Sequence, residues 1–311
     1  MVKYYFARLK NNIEHLKKNN VYFVDQANAN RIGERNADFI DFDIIPKYDN
    51  QEILFIVRSG GIGDIVAMSI LQDVAPKTIF LTQKKHFPVL KLWNKEPIMR
   101  HFDEPLFEAN NITEFINKLK KFGTLFGDGI IEQGSLKNWY EIFSNSVGKE
   151  LIAGSPQLKP LTRNEIKGCL IVSQSTSINR SANEIELQKI ALKYFNEVHI
   201  AHKQNWITPE YLKSVIDYEF VISVDTSAIH IRESFKLPAL GLYGAFSTDS
   251  RTKYYKHVKC IDVKNDCLLA PCFNHRQKPC SENKGTNFAP CLTNYEHIEK
   301  ELKKYLIYLY G

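Results

Sequence analysis

The sequence has no hydrophobic run of the roughly 20 residues that are needed to cross a lipid bilayer. Its first residues, MVKYYFARLKNNIEHLKKNN, carry charges every few positions and lack the apolar segment of a secretory signal. We therefore expect a cytoplasmic protein without a transmembrane segment. The N-terminal segment is predicted to form an amphipathic helix, because four apolar residues fall near one helical face: Tyr5, Leu9, Ile13 and Leu16.

Two common nucleotide-binding signatures are also incomplete or missing. Residues 53–57 (ILFIV) are a continuous apolar run, typical of a strand buried on both faces, and a glycine-rich turn and a helical pattern follow. The third glycine of a dinucleotide fingerprint is missing, and no acidic residue ends the next strand, which disfavours NAD or FAD. No glycine-lysine-Ser/Thr triplet follows, which excludes a Walker loop.

Length and composition predict two globular domains. A chain of 311 residues exceeds one ordinary core, and its 44% hydrophobic and 24% charged residues are typical of globular proteins. Residues 148–165 contain two prolines and two glycines and little periodicity, which indicates a linker. We expect an N-terminal domain over residues 1–155, including an extension before residue 53, and a C-terminal domain over residues 156–311.

Strand and helix patterns alternate on both sides of this linker, which indicates an α/β protein with two doubly wound parallel sheets. In the first half the predicted strands are 39–45, 53–57, 78–81 and 124–126, and the predicted helices are 65–74, 87–93, 112–122 and 136–147. In the second half the predicted strands are 169–173, 197–201, 220–224, 239–243 and 259–263, and the predicted helices are 184–194, 209–216, 227–235 and 295–310.

The turn after the first buried strand has the residues of an anion- or sugar-binding turn. Gly61 and Gly63 let the backbone turn tightly and let a ligand approach the helix N-terminus, whose free N–H groups attract negative charge. Asp64 either complements the helix dipole or acts as a general base on an acceptor hydroxyl. Arg58, at the carboxyl end of the strand, either forms an ion pair or faces a ligand.

A second strand-to-helix turn lies in the other half. The strand 220–224 runs into Asp225, Thr226 and Ser227, and a helix follows. The two hydroxyl groups and the first helical amides could form a cradle for a pyrophosphate, although Asp or Thr at this position is also an ordinary helix cap. His230 lies one turn further along and is interpreted either as a packing residue or as an additional hydrogen-bond donor. The net charge of +6 suits anionic ligands without selecting one.

These two segments together resemble the family 9 glycosyltransferases, the group of ADP-heptose heptosyltransferases. VISVDTSAIHIRESFKLPALGLYGAFS is similar to the donor-site segment of that family, and ILFIVRSGGIGDIVAMSIL is similar to its opening strand, Gly-Asp turn and first helix. The segments occur in the order that the family has. The resemblance implies a GT-B fold, in which two Rossmann-like domains face a cleft, and inverting transfer without an essential divalent metal.

The resemblance also implies roles for individual residues. It places Asp64 at the proposed catalytic base, and it places the nucleotide-sugar donor mainly on the C-terminal half, at Asp225, Thr226, Ser227 and His230. Ser227 stands where the family usually has glycine. After the strand 169–173 the family offers a phosphate-binding lysine, for which Arg180 is the substitute cation here, with a different hydrogen-bonding geometry. The N-terminal extension has no counterpart in the family.

The motifs leave the acceptor open. A bacterial-type glycan or lipopolysaccharide is the expected acceptor, and a hydroxymethylated DNA base is the alternative. The Lys-, Asn- and Ile-rich composition and a basic, aromatic rim that includes residues 84–87 (KKHF) are compatible with a DNA acceptor. A third possibility is a non-catalytic module that binds nucleotide sugars or phosphorylated glycans. Asp64 argues against such a module, because a pure binder needs no base.

Five of the six cysteines fall near the C-terminus. In a cytosolic protein such a cluster suggests a metal before disulfides. We predict a structural zinc site formed by Cys267, Cys272, Cys280 and Cys291, although the spacings match no standard zinc knuckle. Disulfides and free thiols that only pack are the alternatives.

Overall fold

The computed structural model describes residues 3–126, 137–201, 209–263, 267, 269–272, 280–283 and 285–311. Its contacts divide the chain into two compact units. The first comprises Met1–Gly60, Leu71–Ile131 and Phe143–Glu150, and the second comprises Gly61–Ile70, Glu132–Ile142 and Leu151–Gly311. The glycine-rich turn that follows the first buried strand therefore groups with the second unit. A domain boundary after residue 155 stays a prediction.

The first unit contains a parallel and an antiparallel sheet. The parallel sheet has the order β6-β5-β4-β8, formed by β4 (Ile53–Val57), β5 (Lys77–Leu81), β6 (Ile98–Arg100) and β8 (Phe122–Phe126). The antiparallel sheet has the order β3-β1-β2-β7, formed by β1 (Tyr4–Leu9), β2 (Asn20–Asp25), β3 (Ala37–Asp41) and β7 (Phe107–Glu108). The helices are α1 (Gln26–Ile32), α3 (Phe87–Leu90), α4 (Ile112–Leu119) and the last residues of α5 (Trp139–Asn145).

The predicted N-terminal amphipathic helix is wrong, because this segment forms the antiparallel hairpin of β1 and β2. The four-residue spacing of apolar side chains was misleading. Phe6 packs in one core cluster and its neighbour Ala7 in another, which is the two-residue alternation of a strand with both faces covered. Glu14 and Asn19 have positive φ angles of 50° and 65°, a backbone conformation that a continuous helix does not allow.

An aromatic core holds the two sheets of the first unit together. Phe6 and Phe23 from the antiparallel sheet lie 5.4 and 5.7 Å, between ring centroids, from Phe55 of the parallel sheet. Phe122 joins the same cluster at 5.8 Å from Phe55. Such pairs add about 0.5–1.5 kcal/mol each beyond the area that they bury. The extension is thus an integral layer of the first unit.

The second unit is built on one parallel sheet of the order β10-β9-β11-β12-β13. Its strands are β9 (Ile166–Val172), β10 (Val198–Ile200), β11 (Tyr218–Val224), β12 (Ala239–Tyr243) and β13 (Lys259–Asp262). Its helices are α2 (Ile62–Ala67), the first part of α5, α6 (Glu184–Ala191), α7 (Pro209–Asp217), α8 (Ser227–Ser234), α9 (Thr248–Thr252) and α10 (Tyr295–Tyr310). The centres of β9, β11 and β12 are fully buried, as their continuous apolar runs predicted.

The predicted α/β class and most of the predicted elements are confirmed. Apart from the N-terminal hairpin and the short strands β6 and β7, which were not predicted, the differences lie at element ends. The helix predicted at 65–74 is α2 followed by a 3₁₀ turn at Met68–Leu71, and the strand predicted at 39–45 is the shorter β3. Residues 148–165 contain no helix or strand, and their role as a linker stays a prediction. In the described part of the chain, every helix is too short or too polar to cross a membrane.

Candidate functional site

The order of strands in the second unit defines where a ligand is expected to bind. The chain passes from β9 to β10 on one side and then to β11 on the other side of β9. In such open sheets, ligands bind outside the carboxyl ends of the strands at the point where the order reverses. That point lies between β9 and β11, and the turns at residues 173–180 and 225–227 follow these two strands directly.

An ion pair joins these two turns. Nη1 of Arg180 lies 3.2 Å from the Asp225 carboxylate and 3.3 Å from the Asp225 carbonyl oxygen, and Nη2 donates to the Thr176 hydroxyl at 3.2 Å. Both charged side chains are largely buried, with 15% and 9% of their surfaces exposed. Arg180 and Asp225 are 45 residues apart in the sequence, and the parallel pairing of β9 with β11 brings them together.

Thr226 and Ser227 form the beginning of α8. The Thr226 hydroxyl caps the helix by accepting from the Ala228 N–H at 3.3 Å, and it lies 2.9 Å from the Ser223 hydroxyl. The Ser227 hydroxyl lies 3.4 Å from that of Tyr211. Thr226 and Ser227 are half-buried, whereas the rest of the helix is almost wholly buried up to Glu233. Apart from Ser234 at the opposite end, the start of α8 is therefore the accessible part of this helix.

Helix α2 packs against the start of α8, and Gly63 of α2 lets the two helices come this close. A Cβ atom on Gly63 would lie 3.1 Å from Cδ2 of His230 and 3.4 Å from the Cα of Ser227. A larger residue would therefore push the two helices apart. Asp64, half-buried, accepts from the Gly61 N–H at 3.1 Å and so closes the N-terminus of α2. Gly63 thus serves helix packing in the structure.

His230 is a buried neutral imidazole. Burial, the largest cause, lowers its pKa from 6.5 to about 4, and the nearby charges of Asp225, Arg251, Asp64 and Arg180 partly offset one another. Nδ1 lies 2.6 Å from the Tyr255 hydroxyl, which in turn lies 2.5 Å from the Tyr140 hydroxyl. Burial raises the pKa of both tyrosines well above the usual value, so their hydroxyls stay protonated.

An aromatic and cationic group lies beside this histidine and was not predicted from the sequence. The ring of Trp139 lies 4.6 Å from that of His230, and the guanidinium carbon of Arg251 lies 4.9 Å from the Trp139 ring and 4.6 Å from the Phe246 ring. The Arg180 guanidinium also approaches Phe246, at 5.9 Å. These residues come from three separated segments, so no local pattern indicated them.

Arg58 belongs to the first unit. It follows β4, at the point where the strand order of that parallel sheet reverses between β4 and β8. Only 3% of Arg58 is exposed, and its guanidinium occupies the space that a Cβ on Gly60 would need. Whether Arg58 contacts a donor stays a prediction.

The four cysteines of the predicted metal site are all thiols, not disulfides. Burial, followed by the proximity of Cys267, Cys272 and Cys280, raises the pKa of Cys291 to about 12. No group of three or more His, Cys, Asp or Glu side chains within the described segments is arranged to hold a metal ion.

Comparison with known proteins identifies the fold. No family model matches the sequence, and no curated protein matches it. The structure is similar to the iron-containing dodecameric glycosyltransferase TibC from enterotoxigenic E. coli H10407, with a TM-score of 0.54 and 12% identity over 98% of this chain and 92% of that chain. It is also similar to TibC in complex with ADP-D-beta-D-heptose, with a TM-score of 0.51, 12% identity and the same coverage.

A third similar structure is the family 9 glycosyltransferase from Veillonella parvula DSM 2008, with a TM-score of 0.53 and 10% identity over 84% of this chain and 98% of that chain. These likenesses show that the chain has a heptosyltransferase-like GT-B fold, as the sequence resemblance implied.

Proposed function

We propose that this chain, with the fold of the family 9 glycosyltransferases, transfers a sugar from a nucleotide-sugar donor to a hydroxyl acceptor with inversion at the anomeric carbon. One observation carries the proposal: Arg180 and Asp225 pair at the switch point of the second sheet, next to the half-buried hydroxyls of Thr226 and Ser227. A buried cation, two hydroxyls and a helix N-terminus together suit a diphosphate.

The donor diphosphate would bind at the start of α8. The hydroxyls of Thr226 and Ser227 and the first free amides of the helix would donate to its oxygens, and Arg180 would neutralise its charge. The nucleoside would occupy the adjoining cavity of about 460 Å³, which Tyr211 lines together with residues of β10 and α7. The hydrogen-bond distance between Tyr211 and Ser227 supports this arrangement, because it connects the cavity with the cradle.

The reaction would be a direct displacement. The acceptor oxygen forms a bond to the anomeric carbon, the bond from that carbon to the diphosphate oxygen breaks, and its electron pair leaves with the diphosphate. Asp64 would accept the proton of the acceptor hydroxyl. With the Tyr255 hydroxyl donating to Nδ1, the neutral His230 would carry its proton on Nε2 and could donate it to the bound donor.

The acceptor that we propose is a bacterial-type glycan, with a cytoplasmic site of action. The neighbour TibC has been captured with ADP-D-beta-D-heptose, which makes ADP-sugars the first donors to test. A DNA acceptor and a purely binding role are alternative outcomes of the tests below.

We also retain the metal site as a proposal. Cys267, Cys272 and Cys280 lie near enough to Cys291 to act on its pKa, although the described side chains are not arranged around a metal, so binding would have to draw the four sulfurs together. Thiolates suit zinc or iron in a tetrahedral structural site. TibC is described as iron-containing, so iron joins zinc as a candidate. The metal would order the C-terminal loop and would take no part in the displacement.

The proposal is tested by thermal-shift screening with ADP, GDP, UDP, CDP and their sugar conjugates. We expect one nucleotide to stabilise the protein, since a ligand at 100 times its Kd adds about 2.7 kcal/mol. A nucleoside diphosphate should stabilise more than the monophosphate with the same base. If no nucleoside diphosphate or nucleotide sugar shifts the melting temperature, the proposed donor site is wrong.

A further inference from the structure

Arg251 is a buried cation that the sequence motifs do not explain. It lies on α9, only 7% of its surface is exposed, and its guanidinium contacts the rings of Trp139 and Phe246. Such contacts offset only part of the cost of removing a guanidinium from water. The remaining cost indicates that a second function keeps arginine at this position.

The hydrogen-bond donors of Arg251 have no acceptor among the residues that the structure describes. No carboxylate pairs with it and no carbonyl or hydroxyl oxygen accepts from it there. Arg232, a comparably buried arginine on α8, shows the contrast, because it donates to the carbonyls of Val215, Tyr218, Glu219 and Pro238. Arg232 is satisfied by the fold, whereas the five N–H donors of Arg251 have no acceptor in the described part of the chain.

Arg251 lies at the site already described. The Phe246 ring is close to two guanidinium groups, with its centroid 4.6 Å from Arg251 and 5.9 Å from Arg180. The charge of Arg251 acts on the pKa of His230 in the same direction as that of Arg180. Asp225 pairs with Arg180, and none of the acidic side chains that the structure describes forms an ion pair with Arg251.

We propose that Arg251 is the second cation of the donor site and binds the diphosphate that departs in the reaction. This inference rests on the proposed function. Arg180 is held by Asp225 and Thr176, so it contributes mainly charge, whereas the planar guanidinium of Arg251 can donate two parallel hydrogen bonds to phosphate oxygens. Negative charge grows on the leaving diphosphate as its bond to the sugar breaks, and Arg251 stabilises that charge.

The test is calorimetric binding of three probes to four proteins. The probes are the nucleoside diphosphate that stabilises the wild type most, the matching monophosphate and inorganic pyrophosphate. The proteins are the wild type, Arg251→Gln, Arg251→Lys and the control Lys253→Gln. Lys253 lies two residues away, is exposed and pairs with Glu141 at 3.1 Å, so its replacement removes the same charge outside the site.

We expect Arg251→Gln to weaken diphosphate and pyrophosphate binding by about 10–100-fold, since charge-assisted bonds contribute roughly 1.5–3 kcal/mol. The affinity of Arg251→Gln for the monophosphate should fall less. Arg251→Lys should lose an intermediate part of the diphosphate affinity, because lysine keeps the charge without the bidentate geometry. Lys253→Gln should bind all three probes like the wild type. If Arg251→Gln does not fold, Arg251→Lys alone provides the test. A diphosphate affinity of Arg251→Lys equal to that of the wild type overturns the inference.

The design separates this inference from the proposed function. If the wild type binds a nucleoside diphosphate and Arg251→Gln binds it equally well, the inference is wrong and the function stands. If the wild type binds pyrophosphate but no nucleotide, and Arg251→Gln does not bind pyrophosphate, then Arg251 is an anion site and the donor is not a nucleotide sugar. If neither probe binds the wild type, both ideas fail.

Discussion

His230 illustrates, at the scale of one residue, how burial selects a protonation state. An imidazole in water is about half protonated near its ordinary pKa of 6.5, but at this site burial lowers the pKa to about 4. The ring is therefore neutral under physiological conditions, so it can accept from Tyr255 at one nitrogen and donate at the other. A charged imidazolium could only donate.

The titration of His230 can be measured directly. Because the folded-state pKa lies below the ordinary value, the neutral ring favours folding, and this stabilisation is lost as the pH falls from about 6.5 towards 4. In histidine-labelled protein, the NMR resonance that disappears in His230→Gln should keep its neutral chemical shift down to about pH 5. A midpoint at or above pH 6.5 would show that His230 is not buried as described.

Helix α8 shows, at the scale of an element, how one short helix can combine the proposed ligand-binding end with a structural end. Its first turn presents the hydroxyls of Thr226 and Ser227, whereas its last turn holds the buried pair Arg232 and Glu233. The Glu233 carboxylate accepts three backbone N–H groups, from Lys256, His257 and Val258, at 2.9–3.1 Å. The last turn therefore fixes the segment that carries Tyr255.

The binding end is tested by Thr226→Ala combined with Ser227→Ala. We expect the affinity for the nucleoside diphosphate product to fall by about 10–100-fold, because both hydroxyls donate to an anion in the proposed site. Ser234→Ala, which removes a hydroxyl at the opposite end of the same helix, is the control and should bind normally. Unchanged affinity in calorimetry would move the donor site away from α8.

The structural end is tested by Glu233→Gln. An amide has one acceptor oxygen in place of two, so at least one buried N–H should lose its partner and the free energy of unfolding should fall by about 2–4 kcal/mol. Urea denaturation measures this loss. Glu165→Gln, an exposed change of the same chemistry, should alter stability by less than about 0.5 kcal/mol. A similar stability for the two variants would contradict the role of Glu233.

The elements of the second unit could be predicted because its strands are continuous apolar runs and its turns carry recognisable caps. The N-terminal hairpin could not, because the same residues fit a four-residue and a two-residue period, and only packing against Phe55 decides between them. The structure joins Arg180 and Asp225, two residues that the family resemblance assigned to the donor site, in an ion pair that the sequence alone did not predict. Arg251 and Tyr255 were missed because their partners are distant in the sequence.

At the scale of the whole molecule, described residues of the C-terminal cysteine segment contact two turns of the proposed donor site. The Cys280 N–H donates to the Asn179 side chain at 3.1 Å, directly before Arg180. Cys291 packs against Gly244, because a Cβ atom on Gly244 would lie 2.5 Å from the Cys291 sulfur. Phe246 lies two residues after Gly244 in the sequence. Order in this loop is therefore coupled to the positions of Arg180 and Phe246.

If a metal orders this loop, its removal should weaken donor binding. Zinc or iron should be stoichiometric in protein purified without added metal, and chelation should reduce nucleoside diphosphate affinity before the sheets unfold. Cys272→Ser should lose the metal, whereas Cys260→Ser, outside the set, should keep it. Absence of metal from freshly purified, reduced and active protein would end the proposal and leave the thiols as packing groups.

The central claim is that the molecule is a glycosyltransferase with Asp64 as its base. The most direct measurement follows conversion of the best-binding nucleotide sugar to nucleoside diphosphate with a bacterial glycan extract, for the wild type and for Asp64→Asn. An asparagine can still accept from the Gly61 N–H, so we expect normal product binding and turnover reduced by roughly 10²–10⁴-fold. Turnover within a few-fold of the wild type, or no donor consumption by the wild type, would contradict the account.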